Sequence, residues 1–98
     1  MKNICILGST GSIGQNSLEV IANFPDRFRV CYLSTNKNIE LLQKQITRFK
    51  PKGVAVMDDG AASVLKQMTN GSLQVCPGSE GMHELATRND VDVVVTSL

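Results

Sequence analysis

A short apolar run, Ile4 to Leu7, passes directly into Gly8-Ser9-Thr10-Gly11-Ser12-Ile13-Gly14, and helical spacing starts as soon as that segment ends. Glycines at these intervals acquire meaning from such a context, which predicts a buried strand, a tight turn and a helix packed back against the strand. Each glycine then has its own task. Gly8 allows the turn, Gly11 lets the backbone approach a pyrophosphate, and Gly14 permits close packing of helix on strand. The first helix turn contributes unpaired N–H groups and the positive end of the helix dipole. Ser9, Thr10 and Ser12 add hydroxyl donors.

The rest of the chain repeats the alternation of short apolar runs with helical periodicity that marks βαβ units. Buried strands are predicted at Ile4–Leu7, Val30–Leu33, Val54–Met57 and Val91–Val95, with a weaker fifth at Leu73–Val75. In the first helix Ile13, Ser17, Leu18, Ile21 and Phe24 share a face, and Pro25 ends it. The second places Ile39, Leu42, Ile46 and Phe49 on one stripe, with Asn38 as N-cap and Lys50-Pro51 as its stop. A third helix begins after Asp58 or Asp59, buries Ala61, Leu65 and Met68, and stops at Asn70-Gly71. A shorter fourth carries Met82, Leu85 and Ala86. Parallel strands joined by right-handed crossovers give an α/β, Rossmann-like open parallel sheet with helices on both faces. The expected domain is 1–98, truncated after about four to five strands, because the chain stops where such folds place another loop and helix.

Composition excludes several partners. Ten Lys and Arg are balanced by nine acids, for a formal charge of +1, and they form no basic stripe; nucleic acid is not an expected partner. The first apolar run is too short for a secretory core or a membrane span, which points to a cytoplasmic protein. Cys5, Cys31 and Cys76 lack C-x-x-C or Cys/His spacing and read as reduced structural thiols, with His83 the single histidine. Asn70-Gly71-Ser72 is read as a turn rather than a glycosylation site.

The ligand class follows from two segments. The loop lacks the Gly-Lys-Ser/Thr ending of a P-loop, which disfavours ATP hydrolysis and leaves dinucleotide binding. An NAD enzyme usually carries an acid at the end of the second strand to accept the ribose 2′-hydroxyl. Here that stretch reads Ser34-Thr35-Asn36-Lys37-Asn38, with no carboxylate but with a cation and polar side chains suited to a 2′-phosphate. NADP(H) is the expected cofactor.

The segments Ile6 to Gly14, Phe28-Arg29-Val30, Asn36-Lys37-Asn38 and Val56-Met57-Asp58-Asp59 together resemble the N-terminal NADPH-binding domain of the 1-deoxy-D-xylulose 5-phosphate reductoisomerases. The resemblance covers essentially the whole chain. It implies a metal-assisted rearrangement of 1-deoxy-D-xylulose 5-phosphate and its reduction by NADPH to 2-C-methyl-D-erythritol 4-phosphate, in the non-mevalonate isoprenoid pathway. It implies cofactor contacts at Thr10, Gly11, Ser12 and Ile13 and at Asn36, Lys37 and Asn38, where many members have glycine at position 36. It also implies a divalent cation, Mg or Mn, and a homodimer in the full-length enzyme. Catalytic and metal-ligating residues are expected beyond this chain, so that the chain alone is inactive.

Other acids read more plainly. Asp58-Asp59 suits a helix start better than a metal site, since hard cations draw on several oxygen ligands. His83 and Glu84 are helix neighbours that do not face each other, and Glu80 is a helix-start acid. Two alternatives stand beside the resemblance: another NADP-dependent reductase of the semialdehyde dehydrogenase type, and a non-catalytic nucleotide-sensing module.

Overall fold

Among the described residues, runs of four to eight residues, too short for stable helices, form five parallel strands, and the periodic segments between them form four helices. A computed structural model describes residues 1–97; Leu98, the last residue of the expected domain, lies outside the described residues. In chain order the elements are β1 (Lys2–Leu7), α1 (Ser12–Ala22), β2 (Phe28–Thr35), α2 (Ile39–Phe49), β3 (Gly53–Val56), α3 (Asp59–Thr69), β4 (Gln74–Pro77), α4 (Gly78–Ala86) and β5 (Val93–Thr96).

The strands lie in the order β4-β3-β2-β1-β5. From β1 the chain steps outward to β2, β3 and β4, then returns through α4 to pair β5 with the free side of β1. Reversing the direction of travel while keeping one crossover hand puts α4 on the opposite face from α1, α2 and α3. Two cores result. On one face Ile4, Ile6, Val30, Leu33, Val54 and Val56 pack against Leu18 and Ile21 of α1, Leu42 of α2 and Leu65 of α3. On the other, Cys5, Tyr32, Ala55 and Cys76 pack against Met82 and Leu85 of α4. Burying a side chain of this size is worth about 1.5–3 kcal/mol.

The pairing of β1 with β2 slips between Ile4 and Cys5, so Ile4 faces Val30 while Cys5 faces Tyr32. Cys31 is the extra residue of this bulge, and its carbonyl accepts from Lys52 N at 2.7 Å. The bulge lets Tyr32 join Cys31 on the α4 face. There its hydroxyl donates to Asp90 at 2.9 Å, and Lys52 Nζ reaches the same carboxylate at 3.0 Å. The ammonium and the phenol hold Asp90 below the usual carboxylate range. Arg88 lies 5.4 Å over the Tyr32 ring. This clasp joins the starts of β3 and β5 at the end of the sheet away from the glycine loop.

Caps follow the residue chemistry. Asn38 Oδ1 accepts from Leu41 N at 3.2 Å, and Asp58 Oδ2 from Ala61 N at 2.8 Å, so both are N-caps as expected. Lys50 and Asn70, both left-handed, close α2 and α3, and Gly71 continues the turn at φ 79. The three cysteines are free and buried.

Four expectations about burial are corrected. Ile13 is 65% exposed, because contact of Gly14 with the loop turns the Gly14, Leu18 and Ile21 side of α1 inward. Phe24 falls beyond the end of α1 and meets the Phe28 ring edge-on. Met68 is exposed and Ala61 half-buried, since α3 flanks the β4 edge and buries only Ala62 and Leu65. The run near Val91–Val95 does form β5, but Val93 and Val94 are exposed: α4 packs on β1 to β4 and leaves this edge strand largely uncovered.

Candidate functional site at the carboxyl ends of the strands

Where winding reverses, between β1 and β5, the crossover leaving β1 through α1 and the crossover entering β5 through α4 lie on opposite faces, which opens a crevice at the strand ends. The loop from Gly8 to Gly14 occupies this point, between β1 and β5. Gly8 has φ 80, a left-handed conformation that favours glycine. A Cβ on Gly14 would collide with the Gly8 carbonyl and the Ser9 backbone, so α1 stands directly against the turn. Gly11 is different: a Cβ there would make ordinary contacts, 3.5 Å to Gly8 O and 3.8 Å to Ser97 O. The protein's own packing does not require glycine at that position, which suits a role in admitting a ligand to the backbone.

The loop is tied to its surroundings by side chains. Gly8 N donates to Ser34 Oγ and Ser9 N to Ser34 O, each at 2.8 Å. Thr10 Oγ1 and Thr35 Oγ1 are 2.6 Å apart. Ser97 Oγ donates to the carbonyls of Leu7 and Gly8 at 2.9 Å. Ser9 is fully buried and bonds Ser34 and Gln45; its hydroxyl anchors the loop and is not the ligand donor expected from the sequence. Gly11, Ser12 and Ile13 face solvent, and Thr10 is half-buried.

The helix ends set the electrostatics. α2, α3 and α4 each carry an acid in the first turn, Glu40, Asp59 and Glu80, and Asn38 and Asp58 also cap the first two with a side chain. α1 has neither an acid nor a side-chain cap, with Gly11 at its N-cap. Among the described residues its first N–H groups and its positive dipole end therefore lack a compensating acid or side-chain cap, an arrangement that favours an anion.

Asn36, Lys37 and Asn38 leave the end of β2 beside this loop, all three exposed. Asn36 O accepts from Asp58 N at 2.8 Å. Asn36 is not among the described residues with positive φ, so no left-handed turn is needed there. Lys37 forms no ion pair among the described residues. The Asn38 side chain caps α2 through its oxygen, which leaves its NH₂ end to donate elsewhere. Beside Asn36, a largely apolar groove of about 370 Å³ is lined by Thr35, Asn36, Met57 and Met82.

A sequence model of the 1-deoxy-D-xylulose 5-phosphate reductoisomerases matches residues 4–98. The chain belongs to the 1-deoxy-D-xylulose 5-phosphate reductoisomerase family. It is 48% identical to the reductoisomerase of Chloroherpeton thalassium and 41% identical to that of Thermodesulfovibrio yellowstonii, over all of this chain and 26% of each relative. The chain thus spans about a quarter of the length of the curated relatives it matches. Among solved structures, a reductoisomerase in complex with NADPH, fosmidomycin and magnesium superposes with TM-score 0.90 at 30% identity, covering 100% of this chain and 24% of that one. The Zymomonas mobilis enzyme in complex with NADPH gives 0.82 at 29% identity over 91% of this chain and 24% of its own. These matches support the reductoisomerase family over the semialdehyde dehydrogenase and nucleotide-sensing alternatives.

Within this family domain, the two predicted contact segments meet at one end of the sheet. Asp58 is the N-cap of α3 and Asp59 lies in its first turn; His83 and Glu84 are exposed on α4, where Glu84 pairs with Arg88. No group of three or more His, Cys, Asp or Glu that could hold a metal ion occurs among the described residues. No helix among the described residues is long and apolar enough to cross a membrane. Sequence reasoning missed Gln45, Ser97, Met57 and Met82. Only Gln45 carried a signal, a polar residue lying within the apolar stripe of α2. Recognition of the others requires knowing which strands are neighbours.

Proposed function

We propose that residues 1–98 form an NADPH-binding domain of a 1-deoxy-D-xylulose 5-phosphate reductoisomerase, an oxidoreductase that isomerises and reduces 1-deoxy-D-xylulose 5-phosphate to 2-C-methyl-D-erythritol 4-phosphate for isoprenoid synthesis. The observation that carries the reading is the start of α1, the one helix among the described residues that has neither a first-turn acid nor a side-chain cap, opening behind a glycine loop at the switch point. The N–H groups of Ser12 and Ile13 and the hydroxyls of Thr10 and Ser12 bind the pyrophosphate, while Gly11 admits it to the backbone. Lys37 supplies the charge for the 2′-phosphate, with Asn36 and the Asn38 amide as polar partners. The adenine rests against the groove formed by Met57 and Met82.

NADPH supplies the hydride that reduces the rearranged substrate. The residues of this chain bind and orient the cofactor and carry no catalytic role. In the whole enzyme the reading includes a divalent cation, Mg or Mn, a small-molecule phosphate substrate, a homodimer and a cytoplasmic location; the related structures in complex with magnesium and fosmidomycin support the cation and the small-molecule site.

Amide NMR titration of this chain with NADPH and with NADH tests the reading. Shifts from Gly8 to Gly14 together with Asn36 to Asn38, larger for NADPH, are the expected result. Lys37→Ala narrows the NADPH preference, on the order of tenfold for a lost charge-assisted contact. A folded chain whose resonances respond to neither cofactor, or a Lys37→Ala variant with unchanged preference, overturns the corresponding assignment.

A further inference from the structure

Gln45 is a buried amide on the otherwise apolar inner face of α2. Its Oε1 accepts from Ser9 Oγ at 2.7 Å, and its Nε2 donates to Ser9 O at 2.8 Å. A carbonyl can only accept, so it dictates which end of the amide faces it, and the hydroxyl satisfies the other end. Both partners belong to one residue of the glycine loop. The contact is therefore a two-point grip with a set orientation, between groups that are both shielded from water.

That grip closes a ring. From Ser9 the connection passes through Ser34 to the end of β2, along Asn36, Lys37 and Asn38 into α2, and through seven helical residues back to Ser9 by way of Gln45. The helical span is about 10 Å. Asn38 caps the start of α2, so the segment proposed to meet the 2′-phosphate is held at one side by β2 and at the other by a helix anchored on the pyrophosphate loop. Replacing a fully satisfied buried polar pair with apolar groups of the same shape is often nearly neutral for stability. What such a pair adds is one defined geometry.

We propose that Gln45 is a positioning residue, which sets the separation between the pyrophosphate loop and the Lys37–Asn38 segment and thereby the preference for a cofactor bearing a 2′-phosphate. The inference rests on the NADPH reading above. The pyrophosphate and the 2′-phosphate are joined covalently through one ribose, so both anions are held well only when their two protein sites stand at the matching distance. NADH has no second anion and is insensitive to that distance.

The test compares NADPH and NADH dissociation constants, by amide NMR titration, for the wild-type chain, Gln45→Met and Ser9→Ala, with a thermal unfolding midpoint for each. Gln45→Met keeps the approximate shape and loses both bonds; NADPH is expected to weaken on the order of tenfold while NADH stays within about twofold. Ser9→Ala keeps the bond from Nε2 to the backbone carbonyl and is expected to lose selectivity by about threefold. If Gln45→Met does not fold, the selective loss in Ser9→Ala decides. Equal weakening of both cofactors in step with the melting temperature assigns Gln45 a merely structural role and overturns the proposal, as does an unchanged ratio. A wild-type chain with no preference for NADPH overturns the cofactor reading itself, and this inference with it.

Discussion

A Cβ placed on Gly14 would lie 2.2 Å from the carbonyl oxygen of Gly8, well inside any tolerable contact. Helix α1 and the turn that precedes it are in direct backbone contact, and nothing flexible is available to yield. Gly14→Ala is therefore expected to destabilise the domain by about 3 kcal/mol despite the better helix propensity of alanine. Circular dichroism should show a melting temperature lower by more than about 10 °C. Gly11→Ala is the contrasting variant: its backbone is extended, its Cβ has room, and stability should change by less than about 0.5 kcal/mol. NADPH affinity should nevertheless fall, because the added methyl stands where the pyrophosphate approaches. A Gly14→Ala protein as stable as wild type would refute the close packing.

Asn38 has two separable roles. Its oxygen caps α2, and its NH₂ group is the donor proposed to meet the 2′-phosphate. Asn38→Asp keeps the cap and replaces the donor with a negative charge. Urea unfolding should give a stability within about 0.5 kcal/mol of wild type, while NADPH binding weakens and NADH binding does not. Asn38→Ala should lose about 1 kcal/mol of stability. Equal NADPH affinity in Asn38→Asp and wild type would restrict Asn38 to the cap.

Burial, with Cys31 close by, pushes the Cys5 thiol up to about 11, and burial also raises Cys31 and Cys76. All three should resist a thiol reagent at pH 8 in the native state and react together once urea unfolds the chain. An unfolded cysteine releases its proton near pH 8.5, whereas folded Cys5 keeps it to about 11. The unfolded state then binds fewer protons, so stability falls as pH rises through that window. Rapid labelling of one native thiol at pH 8 would contradict its burial.

Lys52 first, and then Tyr32, hold the Asp90 carboxylate below its ordinary value. A carboxyl group depressed on folding contributes stability that is present above the unfolded value, near 3.9, and is lost as pH falls through the folded one. Asp90→Asn should lower the urea midpoint at pH 6 and leave a smaller difference from wild type near pH 2. A constant difference at both pH values would show that the contribution is packing rather than charge.

The alternation of strand and helix, the glycine loop and both side-chain caps were legible from residue order because each depends on neighbours a few positions apart. A strand needs its run, a cap needs its helix start, and a turn needs its glycine. The two segments proposed to meet the cofactor were also picked out by local signals, one by glycine spacing and the other by the missing acid after β2. Burial was less accessible. Ile13 and Met68 fit their helical stripes and still face solvent, because the contact of Gly14 with Gly8 rotates α1, and α3 lies beside an edge strand. Likewise Val93 and Val94 are as apolar as any buried strand, and only the path of α4 across β1 to β4 leaves them open. The bulge at Cys31, the grip of Gln45 on Ser9 and the closure of Ser97 over Gly8 bring together residues 21, 36 and 89 positions apart. Contacts at such separations depend on strand order and register, which are settled when the whole sheet assembles and leave no periodic trace along the chain.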